Sequence, residues 1–311
     1  MSTTRVAAID CGTNSIRLLV ADVDPDALTL VDVDRRMDIV RLGEGVDKTG
    51  RLSDGALERT FAACDVYADA IRDLGATAIR FVATSASRDA ANRDVFVDGV
   101  RARLGIEPEV VTGDTEARLS FMGAARSLGD LLGDRTALVV DIGGGSTEFV
   151  LGTARDGVVA ARSVDIGCVR ITERRLHSDP PTDDEIAAAA ADIDAAIARA
   201  AESVNLAATQ VLVGLAGSVT TLAAIFLGIK AYNPQATHRS DLPADQVDAL
   251  TKRLLGMPRA ERAAIPVMHP GRVDVIGAGA LILDRIVAKT GVASVLVSEH
   301  DILDGIAWSL V

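Results

Sequence analysis

The chain has 311 residues, 49% hydrophobic and 24% charged, with a net charge of −12. That length predicts two domains, and the composition is that of a soluble globular protein. The acidity excludes the broad basic surface of a general nucleic-acid binder, and no apolar stretch is long enough to span a membrane.

In chain order, residues 6–9, 15–20 and 28–42 read as a meander of three strands. Ser53 is placed to cap a helix to about residue 74, with Leu57, Phe61, Cys64, Ala68 and Ile71 on one face. A strand at 79–83, a helix at 94–104, a short strand at 110–111 and a helix at 114–128 complete the first half. A second half opens with a strand at 137–140, a hairpin and a strand at 158–163. Thr182 and Glu185 form a capping-box pattern that starts an Ala-rich helix to about residue 204. A strand at 211–215, helices at 220–227, 245–255 and 274–289, a strand at 295–297 and a helix at 301–310 follow. This order resembles two ribonuclease-H-like α/β units: domain I over 1–128 and domain II over 129–311. The last helix, about 301–311, has the option of packing back on domain I.

Strand-like sequence begins within a few residues of Met1, which predicts no secretory leader. Three cysteines, Cys11, Cys64 and Cys168, are odd in number and lack metal-ligand spacing, so a reducing cytoplasm is expected. Cys11 reads as a small turn residue.

One pattern occurs twice. Asp10-Cys11-Gly12-Thr13-Asn14-Ser15 and Asp141-Ile142-Gly143-Gly144-Gly145-Ser146 are both D-x-G-x-x-S, each between two apolar runs. Each reads as a β-hairpin whose glycines permit positive φ and close approach, so that backbone N–H groups converge on an anion. Either copy alone is ordinary turn chemistry; the repeat predicts two loops gripping neighbouring phosphates of one ligand.

Two such halves resemble the actin, sugar kinase and heat-shock ATPase superfamily, whose cleft holds phosphates. The finer resemblance is to the exopolyphosphatase and guanosine pentaphosphate phosphohydrolase family, and it spans nearly the whole chain. It rests on five ordered segments: 8–18, 83–92 (A-T-S-A-S-R-D-A-A-N), 111–123 (V-T-G-D-T-E-A-R-L-S-F-M-G), 141–148 and 214–222.

The resemblance implies hydrolysis of a phosphoanhydride, which requires a held phosphoryl group, neutralised charge and an oriented water. Gly12, Asn14 and Ser15 from one loop, and Gly143, Gly144, Gly145 and Ser146 from the other, are the expected phosphate donors. Arg88, on a loop after a strand, is expected to bind phosphate through its planar guanidinium; by itself it reads as a surface partner of Asp89. Glu116 is the catalytic base the resemblance implies. An acid in a first helical turn also suits the helix dipole, and Asp114 beside it reads as the cap. Asp10, Asp141 and Glu148 are the expected ligands of magnesium or another divalent cation, with turn stabilisation as the plain alternative for the two aspartates. Gly217-Ser218 stands at the adenosine-loop position of the kinase relatives. His238, Arg239, His269 and Arg272 have no assigned role.

The expected activity is release of terminal phosphate from inorganic polyphosphate. Larger family members carry additional C-terminal domains, so short chains are expected here. Guanosine pentaphosphate hydrolysis is the alternative, with a superfamily kinase or a non-catalytic nucleotide sensor further off. No nucleic-acid or membrane partner is expected; the resemblance allows a homodimer, for which the sequence shows no diagnostic interface.

Overall fold

A computed structural model describes residues 3–311. The chain divides into two compact units, one comprising the residues up to Gly123 together with Ile302–Val311, the other Ala124–Asp301.

In the first unit β1 (Thr4–Cys11), β2 (Ser15–Asp24) and β3 (Thr29–Ile39) form an antiparallel meander. Strand β4 (Ala78–Ala83) runs parallel to β1, and β5 (Glu109–Val110) parallel to β4, giving the order β3-β2-β1-β4-β5. Successive residues of β1 enter opposite cores, as strand geometry requires. Ala7, Ile9 and Cys11 pack with Leu57, Cys64, Tyr67 and Ile71 of the helix Asp54–Leu74. Val6 and Ala8 pack with Leu119, Ile302, Ile306 and Trp308. Cover on both faces is why β1 reads as an unbroken apolar run. The helix Asp54–Leu74 starts where the Ser53 side chain accepts from the Ala56 N–H and ends at Gly75, φ 69°.

The last helix, Ile302–Trp308, belongs to this unit. Arg35 Nη2 donates to Asp304 Oδ1 at 2.6 Å, with Asp304 almost fully buried. Gly305 has no room for a side chain, since a Cβ there would stand 2.0 Å from the Leu119 carbonyl oxygen.

The second unit repeats the plan. Strands β6 (Ala137–Ile142), β7 (Thr147–Thr153) and β8 (Gly157–Val164) form the meander. Strand β9 (Val211–Leu215) is parallel to β6, and β11 (Ser294–Val297) is parallel to β9; the short β10 (Asp241–Pro243) closes the edge. The order is β10-β11-β9-β6-β7-β8. One face carries Leu138, Val140 and Phe149 into a core with Ile193 and Ile197 of the helix Asp183–Ala201, Leu222 of Ala216–Phe226 and Ile282 and Ile286 of Ile276–Thr290. The Thr182–Glu185 capping box is formed. Both units therefore have the ribonuclease-H-like strand pattern.

Several local expectations change. The third strand stops at Ile39, and residues 40–43 instead turn back onto the β1–β2 hairpin. The helix expected over 114–128 runs Gly113–Leu132, and the division between units falls inside it. Asp114 is not its cap: the Thr112 side chain accepts from the Thr115 N–H at 3.2 Å, while Asp114 accepts from Arg118. Short helices at Ser85–Asp89 and Cys168–Arg175 are too brief to show a helical period in sequence. The helix expected from residue 220 begins at Ala216, so Gly217 and Ser218 lie in its first turn.

Candidate active site

Parallel strands of an α/β sheet present their loops at the carboxyl ends, where such folds bind ligands. In the first unit Cys11, Ala83 and Val110 are register neighbours at that end of β1, β4 and β5. The segments that follow them carry Asn14, Arg88 and Glu116. In the second unit the Asp141 and Leu215 ends of β6 and β9 are neighbours, as are Gly214 and Val297.

The two hairpin tips are built alike. Gly12 N–H donates to the Ser15 carbonyl at 2.9 Å, and Gly143 N–H to the Ser146 carbonyl at 3.0 Å. In the first tip the Thr13 carbonyl accepts from Gly43 N–H and the Asn14 carbonyl from Val40 and Arg41 N–H. A trans peptide points its N–H opposite its carbonyl, so the Asn14 and Ser15 N–H groups turn together away from that packing. In the second tip the Gly143 carbonyl accepts from Cys168 N–H, and the Gly144 carbonyl from Val169 and Arg170 N–H. The Gly144 and Gly145 N–H groups turn away in the same manner. Paired successive N–H groups form an anion-binding concavity.

The glycines act differently from the sequence expectation. Neither Gly12 nor Gly143 has a left-handed φ. The close approaches are made instead by the segments that press on the tips. A Cβ on Gly43 would lie 2.3 Å from Thr13 Cγ2, and one on Gly167 2.4 Å from the Gly144 carbonyl carbon. The tip is further fixed by a buried hydrogen bond between Thr13 Oγ1 and Ser85 Oγ, 2.8 Å apart, a contact between residues 72 positions apart that no local pattern predicts.

Arg88 lies in the helix Ser85–Asp89 rather than on an open loop, and its partner is Glu116 rather than Asp89. Its Nη1 donates to Glu116 Oε2 at 3.2 Å and to the Val111 carbonyl at 3.0 Å. The Glu116 side chain is only 10% exposed. The structure thus brings together the two residues assigned to the phosphoryl group and to the water.

The acidic residues separate into two environments. Asp10 opposes Arg17 across β1 and β2, and Arg17 donates to it through Nε at 3.0 Å and Nη2 at 2.7 Å. Asp141 opposes Glu148 across β6 and β7, and Glu148 Oε1 accepts from Ser163 Oγ at 2.8 Å. Oxygen donors of this type suit magnesium, which commonly uses one or two carboxylates and completes its shell with water and substrate phosphate. Among the described residues no group of three or more His, Cys, Asp and Glu is arranged to hold a metal ion. Asp141 and Glu148, opposed across their hairpin, are oxygen donors of the kind magnesium takes; Asp10 has Arg17 as a cationic partner within its own hairpin.

The other marked residues have structural contacts. Arg272 Nη1 donates to Thr221 Oγ1 at 3.0 Å, and its guanidinium fills the place of a Gly217 side chain. Ala216, beside it, has φ 66°. His238 Nδ1 accepts from Glu299 N–H, His269 Nδ1 from Gly271 N–H, and Arg239 pairs with Asp130. All three cysteines are free and buried. Burial pushes the Cys11 thiol well up, Cys64 to about 12 and Cys168 to about 11, so none is a ready nucleophile. Among the described residues no helix is long and apolar enough to cross a membrane.

Paired hairpins with pinned carbonyls, an Arg–Glu pair and a buried carboxylate pair define a phosphate-handling protein of the ribonuclease-H-like class. The chain matches the Ppx/GppA phosphatase family over residues 19–310, and it belongs to that family. It is 49% identical to Exopolyphosphatase 2 of Mycobacterium tuberculosis, over 100% of this chain and 99% of that one. It is 34% identical to the guanosine-5'-triphosphate,3'-diphosphate pyrophosphatase of Photobacterium profundum, over 71% of this chain and 43% of that protein. Among solved structures, an exopolyphosphatase-like protein superposes with a TM-score of 0.95 at 41% identity, covering 99% of this chain and 98% of that one.

Proposed function

We propose that this protein is an exopolyphosphatase that releases terminal orthophosphate from short inorganic polyphosphates in the cytoplasm. The observation that carries the reading is the Arg88–Glu116 pair at 3.2 Å, at the carboxyl ends of the strands bearing the first hairpin. A guanidinium, suited to phosphate, beside a carboxylate able to take a proton supports this reading.

In the reaction, N–H groups of Asn14, Ser15, Gly144 and Gly145 bind phosphate oxygens, with Gly12, Gly143 and Ser146 shaping the tips. Arg88 holds the terminal phosphoryl group. Glu116 orients a water; the water oxygen bonds to the terminal phosphorus, its proton passes to Glu116, and the bond from phosphorus to the bridging oxygen breaks. The products are orthophosphate and a chain one phosphate shorter. Asp141 and Glu148 would hold a divalent cation, which when bound supplies charge neutralisation to the polyphosphate. Asp10, balanced by Arg17, shapes its hairpin and is the weaker ligand of the three.

The test is phosphate release across a ladder of polyphosphate lengths, with and without magnesium, beside guanosine pentaphosphate. Release from short polyphosphates that Glu116→Ala abolishes is the expected result. Preference for guanosine pentaphosphate would reassign the substrate; release from neither would refute a hydrolase. Binding without turnover by the unaltered protein would make it a nucleotide sensor.

A further inference from the structure

Strands β1 and β4 run parallel with Cys11 beside Ala83, and the Thr84 N–H continues the ladder by donating to the Cys11 carbonyl at 3.1 Å. That register brings Thr13 and Ser85, each two residues further along, side by side. Their hydroxyls share a hydrogen bond at 2.8 Å, and both residues are buried. The Thr13 methyl rests against Gly43, where a Cβ would come within 2.3 Å of it. With one branch on Ser85 and the other on Gly43, the stiff χ1 of a β-branched side chain is set.

Ser85 opens the helix Ser85–Asp89, and Arg88 stands three residues later on the same side of it. Arg88 N–H donates to the Thr84 carbonyl at 3.0 Å, so a single hydrogen-bonded turn joins the two residues. One end of that turn is tied to the hairpin tip through Ser85. The other is tied to Glu116 and the Val111 carbonyl through Arg88. The second hairpin cannot make such a tie, because the position matching Thr13 is Gly144, which has no hydroxyl.

The geometry points to Ser85 as a positioning residue of the phosphoryl site, an inference that rests on reading the first tip, Arg88 and Glu116 as the machinery of phosphate release. Through Thr13 it sets the Asn14 and Ser15 N–H groups at a fixed separation from the Arg88 guanidinium. A phosphoryl group seated on the tip is then within reach of Arg88 and faces Glu116. Ser85 itself touches neither phosphate nor water. Such alignment governs rate as well as affinity, since a displacement of about 1 Å costs on the order of 100-fold.

The experiment compares the wild type, Ser85→Ala, Thr13→Val, Thr13→Ser and the Ser85→Ala/Thr13→Val double variant, per folded molecule and with melting temperatures. Phosphate release from tripolyphosphate gives kcat/KM, and calorimetry in a Glu116→Gln background gives tripolyphosphate binding. Ser85→Ala is expected to lower kcat/KM by about 10–100-fold and to weaken binding. Thr13→Val, which tests the same bond from its other side, should do the same, whereas Thr13→Ser keeps the hydroxyl and stays near wild type. The double variant should be no worse than the poorer single one, because both substitutions remove one bond. Unchanged kcat/KM and binding in Ser85→Ala, with only a lower melting temperature, would make the bond purely structural and overturn the role. Effects that multiply in the double variant, or a loss in Thr13→Ser equal to that in Thr13→Val, overturn it as well. If the wild type binds tripolyphosphate but releases no phosphate, the hydrolase reading fails, and the binding comparison alone decides on Ser85. If it does neither, the role falls with that reading.

Discussion

Arg88 Nη1 lies 3.2 Å from Glu116 Oε2 and 3.0 Å from the Val111 carbonyl, so one nitrogen ties the helix after β4 to the segment leading into the Glu116 helix. Engaged there, the guanidinium keeps Nε and Nη2 as its donors for phosphate oxygens. Glu116→Gln should lower kcat by about 10²–10⁴-fold with little change in KM, since general-base catalysis contributes on that scale. Arg88→Lys should raise KM and lower kcat together, because an ammonium cannot span the carboxylate and the phosphate at once. Steady-state phosphate release on short polyphosphate reads both.

The Asp10–Arg17 pair holds its hairpin together. Asp10 is 5% exposed and receives two bonds from Arg17. Arg17→Met leaves a buried carboxylate without that partner and should cost about 1–3 kcal/mol. Asp10→Asn with Arg17 retained should cost less. Urea denaturation at pH 7 measures the difference.

Gly305 lets the C-terminal helix lie against the backbone of Leu119, in the helix that begins with Glu116. Gly305→Ala has backbone, not a flexible side chain, in its way. A loss of about 3 kcal/mol is expected, at the upper end of overpacking costs. Activity should fall with it, because Leu119 is one turn from the proposed base. A Gly305→Ala protein as stable as wild type would refute the close approach.

Burial raises the Glu299 carboxyl above its ordinary value, opposed by hydrogen bonds from Thr237 and Tyr232. With the folded value above the unfolded one, near about 4.3, the native state holds the proton more tightly. The resulting stability is fully present below the unfolded value and is lost as pH rises through the folded one. Glu299→Gln lacks this loss, so its melting temperature should gain on wild type as pH rises from 4 to 7, an interval chosen to bracket about 4.3. A constant gap across that range would contradict the raised value.

The buried thiols give a simple check on the fold. With Cys64 near 12, Cys168 near 11 and Cys11 also pushed up, a thiolate-directed reagent at about pH 8 should label none in the native protein and all three after denaturation. Rapid native labelling at any of them would show an opening that this packing does not contain.

Much of the fold was legible because its signals are local. Apolar runs flanking a Gly turn, the Thr182–Glu185 box and the Ser53 cap depend on neighbours a few residues away, and the repeated D-x-G-x-x-S already implied two like units. Short elements escaped: five residues at Ser85–Asp89 show no helical period, and Ala216 extends its helix through a left-handed φ that its residue type disfavours. Sequence by itself determined the paired hairpins, the α/β class and the identity of the charged residues within them. Only tertiary structure decided which charges meet. Arg17 balances Asp10 and Ser163 holds Glu148 because of strand register, and Arg88 finds Glu116 across 28 positions because two parallel strands end side by side. The repeat therefore marks a common scaffold, and strand register fills it unequally: one hairpin sets an arginine opposite its aspartate, the other a glutamate.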